Sequence, residues 1–241
     1  MSYLKIDFLK QVQWFLMMEY RFIIRSARPR KVFILTLLSP LFWFNFSIIG
    51  EFEEGPLFFL EAFTILCIGA FAYAQYFFSW QASFMISLAS LPVNWTAYFV
   101  ARIIPIFLIT IYSAIPACLF FLNTANLPAI FAISFYLLGS VPACVLLQNA
   151  RGTVCFDENK KGFFSNWIGK TVHQYIMEGI LFGIPALVFG IALLVNKVSF
   201  LSWYLYLVGM VSLMSLPFLV RRRCRDKIWL ERIVEANEKY N

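Results

Sequence analysis

Charge is scarce in this chain and absent from its middle. From Ala62 to Ala101, a run of 40 residues, there is no Asp, Glu, Lys or Arg. Over the whole chain charged residues are 14%, against about 25% in soluble domains. With 61% hydrophobic and 19% aromatic residues and a mean hydropathy of +0.74, most side chains need lipid or protein around them, which excludes an ordinary soluble domain. Histidine occurs once, at His173, with no Cys, Asp or Glu cluster beside it, so no metal site is expected. The five cysteines match neither a disulfide framework nor a zinc spacing. Gly169-Lys170-Thr171 has the ending of a phosphate-binding loop, but Phe164 stands where that loop needs glycine and no strand precedes it. The chain is therefore not expected to bind ATP by that motif, and any energy source belongs to another polypeptide. Glu53-Glu54 lacks the His or Arg partners that an intramembrane protease needs. The expectation is no catalytic residue in this chain. The first 30 residues, charged throughout, also lack the short apolar core and small-residue cleavage site of a signal peptide.

What charge there is lies in blocks. Of 20 Lys and Arg residues, seven precede Val32, seven follow Val220, four lie between 149 and 175, Arg102 is single, and only Lys197 falls elsewhere. These blocks flank six segments long enough to cross about 30 Å of hydrocarbon: 32–49, 57–78, 99–122, 127–148, 175–195 and 199–220. The positive-inside rule puts both termini and the loops 79–98 and 149–174 in the cytoplasm, and the net charge of +7 follows from this arrangement rather than from nucleic-acid binding. A seventh span through 80–98 would export eleven basic residues, so six spans are preferred.

The expected fold is thus an all-α polytopic membrane protein with three parts. Residues 1–31 form an N-terminal interfacial amphipathic helix, with Phe8, Val12, Phe15, Leu16, Phe22 and Ile23 at helical spacing and Trp14 and Tyr20 as headgroup anchors. Residues 32–220 form the six-helix transmembrane domain, and 221–241 a cytoplasmic tail. The uncharged loop reads as a short helix over about 79–92 stopped by Pro92, with Trp80, Phe84, Leu88 and Leu91 on one stripe. Left in water such a helix is costly; it is either a re-entrant or interfacial segment, or a docking helix for a partner. Three charges lie inside apolar spans. Arg102 and Glu178 share a depth and are expected to pair between the third and fifth spans, unless Arg102 snorkels alone. Glu61 lies near the outer end of the second span, on the translocation path or at the outer interface.

The layout resembles the membrane (permease) subunit of type-2 ABC exporters: an interfacial N-terminal helix, six spans, and a coupling helix between spans two and three. That family's Leu-rich stretch, Leu-Pro step and basic residue entering the third span are matched by Leu88, Leu91-Pro92-Val93 and Arg102. The chain also resembles a bacterial subset of permease-like proteins of uncharacterised function, through Phe78-Ser79-Trp80 and Asn166-Trp167-Ile168-Gly169. Where the family often has an acidic residue and a glycine entering the coupling helix, this chain has Trp80-Gln81-Ala82. The resemblance implies a homodimer in the bacterial inner membrane that exports a substrate, and a slot between two apolar, aromatic-rich bundles favours an amphiphilic one. ATP and Mg would sit on a separate cytoplasmic ABC ATPase subunit, touched by Trp80, Gln81, Phe84, Met85, Leu88, Leu91 and Pro92. The competing expectation is a non-transporting membrane scaffold or assembly subunit.

Overall fold

A computed structural model of the chain describes residues 8–38, 56–74, 93–122, 126–147, 179–194 and 198–226, with Leu41, Leu88 and Leu91 beside them. Among these residues the structure is helical apart from short connections, with no strand. The helices are α1 (Phe8–Arg25), α2 (Ala27–Leu38), α3 (Pro56–Ala74), α4 (Trp95–Phe120), α5 (Leu127–Leu147), α6 (Ile184–Leu194, entered through a π-helical turn at Gly179–Gly183) and α7 (Val198–Asp226). Three are long and apolar enough to cross a membrane: α4, α5 and the Ser199–Arg225 stretch of α7. Phe58–Ala74 and Gly179–Ile191 are shorter apolar helices. The segment expected over 32–49 lies largely outside the described residues.

Local chemistry sets the helix ends. Asn94 takes an extended conformation (φ −81°, ψ 98°) and its side chain accepts from the backbone N–H groups of Thr96 and Ala97, a good N-cap. α4 therefore starts at Trp95, four residues before the apolar run suggests. At the other extreme α7 continues to Asp226, taking Arg221, Arg222, Arg223 and Arg225 into its last turns, where cations suit the negative end of the helix dipole. Nε of Arg223 donates to the carbonyl of Leu146, one of the carbonyls that the end of α5 leaves without an intrahelical donor.

Contacts between helix ends define the topology. Phe58, at the start of α3, packs edge-on against Phe121, just past the end of α4, at 4.9 Å. Thr96, at the start of α4, lies 3.4 Å from the sulfur of Cys224 near the end of α7. With Arg223 on Leu146, these pairs place the end of α3, the start of α4 and the ends of α5 and α7 at one rim, called here the basic rim.

Two features hold the bundle tightly. The most extensive helix pair is α5 with α7. There a Cβ placed on Gly139 would stand 2.2 Å from the carbonyl oxygen of Gly209, and one on Gly209 would stand 2.5 Å from that of Phe135. Only glycine at both positions lets the backbones touch, the small-residue packing that replaces the hydrophobic effect between helices in lipid. Ser140 and Ser212 follow at 3.4 Å. The second feature is at α6. Pro185 has no N–H, so the carbonyl four residues earlier, on Leu181, loses its helical donor. Tyr136 of α5 supplies the replacement, its hydroxyl donating to the Leu181 oxygen at 2.8 Å, and the backbone passes the site as a π-turn.

Gly209→Ala should force α5 and α7 apart and lower stability by about 1–3 kcal/mol, read as a lower thermal midpoint of the protein in detergent. Tyr136→Phe should leave the buried Leu181 carbonyl without its donor and cost about 1–3 kcal/mol in the same assay. Tyr112→Phe, which removes an exposed hydroxyl from the Leu37 carbonyl, should cost less.

Candidate functional site

The face that α1 turns inward is not wholly apolar. Val12, Phe15, Glu19 and Ile23 are its buried residues, spaced three and four apart as one stripe of a helix demands. Glu19 is 3% exposed. A carboxylate so placed needs charge and hydrogen bonds to offset its lost hydration, and two other helices provide them. Nη1 of Arg102, from the second turn of α4, lies 2.5 Å from Glu19 Oε1. The hydroxyl of Tyr73, next to the last residue of α3, donates to the same oxygen at 2.6 Å. One carboxylate oxygen therefore ties three helices together at the basic rim.

Aromatic side chains enclose this junction. Tyr98, one turn before Arg102, has its ring centroid 6.0 Å from the guanidinium carbon, within cation–π range. Phe15 of α1 meets Tyr98 edge-on at 5.3 Å, and Trp95 does so at 5.7 Å. Tyr73, Tyr98 and Arg102 are each 2% exposed, so water has little access to the ion pair. The hydroxyl of Tyr98 has no hydrogen-bond partner among the described residues, nor does Oε1 of Gln11 on α1. Chemically the cluster is a latch: a carboxylate neutralised by one cation and aligned by one phenol. It contains no nucleophile paired with a base. Among the described residues no three His, Cys, Asp or Glu side chains come together to hold a metal ion.

A second feature opens on the far side of α3. A cleft of about 330 Å³ lies between α3 and the entry to α6, lined by Phe59, Phe63, Cys67, Phe71, Phe182 and Phe189 among others. Phe182, carried by the π-turn, is gripped edge-on by Phe71 at 4.9 Å and by Phe63 at 6.1 Å. Among the described residues the one hydroxyl on its wall, that of Thr64, is already engaged with the Leu60 carbonyl at 2.8 Å. Its walls are almost wholly apolar, and unlike a closed cavity it is open on one side.

The residues singled out from the sequence are distributed as follows. Arg102 is buried as expected inside a span and carries the carboxylate of Glu19; the expected partner Glu178 lies outside the described residues. Glu61 is half-buried on α3. Of the proposed docking helix, Trp80, Gln81, Phe84, Met85 and Pro92 lie outside the described residues, Leu88 is 1% exposed and Leu91 is 54% exposed. Leu88 therefore contributes to the core, and Leu91 is the member of that stripe seen open to a partner. Sequence reasoning missed Glu19 and Tyr73. The signal for Glu19 was present: it is the only acid in α1 and falls at the helical spacing of Val12, Phe15 and Ile23.

Glu19→Leu or Arg102→Leu alone should each strand a buried charge and cost about 3–5 kcal/mol. The double variant should lie closer to wild type than either single one, because no charge is left without its partner. Thermal unfolding of the three variants measures the cycle. Additive losses would show that the two side chains act independently.

Comparison with known proteins gives one family. No curated protein matches the chain, and no solved structure does. The model of a family of unknown function, DUF5687, matches residues 7–228, from just before α1 to just beyond α7. That span includes the latch, the cleft and every helix described above, so the chain belongs to the DUF5687 family.

Proposed function

We propose that this chain is the six-span permease subunit of an ABC exporter. Two copies would work with a separate cytoplasmic ATPase that binds ATP and Mg, and the substrate would be an amphiphile. The observation that carries this reading is the latch. The segment 75–94, uncharged throughout, joins the end of α3 to the start of α4 and contains the stretch of about 79–92 expected to meet the ATPase. Tyr73 stands two residues before it and Arg102 eight residues after it, and both hold Glu19 of α1. A push on that segment would therefore move α1, α3 and α4 as one body, which a subunit driven from outside the membrane needs. A coupling free energy has to pass through elements that are physically joined.

The cleft agrees with an amphiphilic cargo. It lies between α3 and α6, is lined by phenylalanine rings, and among the described residues offers no free hydroxyl that would favour water. Its wall carries a π-turn, a helical irregularity often found at functional sites. The cleft supports the exporter reading over the scaffold alternative, because a scaffold has no need of an open apolar cleft.

Purification of the tagged protein in mild detergent should bring down a polypeptide with phosphate-loop motifs. Leu91→Asp should weaken that association without lowering the protein's own thermal stability, because Leu91 is exposed; Leu88→Asp should destabilise the protein itself. If no ATPase accompanies the wild-type protein, and Leu91→Asp changes nothing, the exporter reading fails and a scaffold remains.

A further inference from the structure

The outward face of α1 is divided in a way that the inward face does not explain. At about 100° per residue, the buried stripe of Val12, Phe15, Glu19 and Ile23 occupies one sector. The next exposed sector, about 80° wide, carries Leu9, Tyr20, Ile24 and Met17 with Gln13 among them. The following sector, about 60° wide, carries Lys10, Arg21 and Arg25, with Trp14 between the two arginines. All three cations are exposed. Among the described residues no acidic side chain offsets them: the only acid in α1 is Glu19, and it points into the latch.

Each sector fits a different medium. The buried one meets protein. The apolar one exposes large hydrophobic side chains, Leu9 at 69% and Tyr20 at 61%, which a helix in water would hide. The basic one would be costly in hydrocarbon. A helix lying in the bilayer surface satisfies all three, with its apolar flank at the acyl boundary and its basic flank among headgroups. The charge on that flank then specifies which headgroups.

We propose that the Lys10–Arg21–Arg25 flank of α1 is a binding surface for anionic phospholipid, and that lipid occupancy holds α1 down on the bundle. Juxtamembrane basic residues gain about five-fold in local affinity per charge at an anionic surface, on the order of a hundred-fold for three. Because the opposite face of the same helix holds Arg102 and Tyr73 through Glu19, membrane charge is linked to the third and second apolar helices. The inference stands on the geometry of α1 alone and does not depend on the exporter reading.

The test uses the full chain in vesicles of phosphatidylcholine, with or without about one third phosphatidylglycerol, and reads hydrogen–deuterium exchange of the α1 amides. Phosphatidylglycerol should slow exchange across Phe8–Arg25, and raising the salt should remove the increment in the wild-type protein, since surface electrostatics are screened. Lys10→Gln, Arg21→Gln and Arg25→Gln together should abolish the dependence on phosphatidylglycerol while leaving exchange in pure phosphatidylcholine unchanged. The single Arg21→Gln variant should reduce it in part, which keeps the test usable if the triple variant folds poorly. Equal exchange in the two vesicle types, or an increment that high salt does not touch, overturns the proposal. So does protection gained only on addition of an acidic protein, which would assign the flank to a protein partner.

Discussion

A single carboxylate oxygen, Oε1 of Glu19, organises the basic rim. Burying a carboxylate is unfavourable unless charge and hydrogen bonds replace the water, and here one guanidinium and one phenol, from two different helices, do so together. Loss of Arg102 would take the counter-ion from a buried carboxylate, and loss of Tyr73 would take one of its hydrogen-bond donors. That dependence converts α1 from a helix that could float at the membrane surface into a fixed member of the bundle. It also explains the ring of aromatic side chains: Phe15, Trp95 and Tyr98 keep water from the pair, and a lower local dielectric strengthens it.

The rest of the bundle is held by a different kind of contact. Between α5 and α7 the backbones approach through Gly139 and Gly209 with almost no side chain between them, a joint with no charge and little freedom. The latch at one end and the glycine contact in the body are two different joints of one bundle, since α3 and α4 pack on α5 as extensively as on each other. The cleft lies on α3, beside a helix whose own ladder is interrupted at Leu181 and repaired by Tyr136.

Much of this was legible in the sequence, and the reasons for the misses are physical. Hydropathy located α5 to within a residue and the start of α3 likewise, because a long apolar run has few other ways to fold. It misplaced the start of α4 because Asn94, a polar residue that caps a helix, marks an end that hydropathy does not register. It ended α7 too early at Val220, since arginines in a last helical turn are read as tail although they suit the helix dipole. Arg102 was found as a buried charge from its position in a span. Equal depth within another span points to Glu178, which lies outside the described residues, and it does not point to Glu19 on the amphipathic helix, which the structure places on Arg102. Glu19 was passed over because a charged letter within an apolar stripe reads as an interruption, when its spacing made it part of the stripe. Nothing in the sequence pointed to Tyr73, since its role arises from where the end of α3 meets α1.

The latch also sets an order of events during synthesis. Glu19 and Arg102 are separated by 83 positions, so α1 leaves the ribosome on the order of ten seconds before its counter-ion does. During that interval the carboxylate is solvated, and α1 has no completed site to occupy. Its docking must follow insertion of both α3 and α4, which makes the first helix to be made the last of the three to be seated.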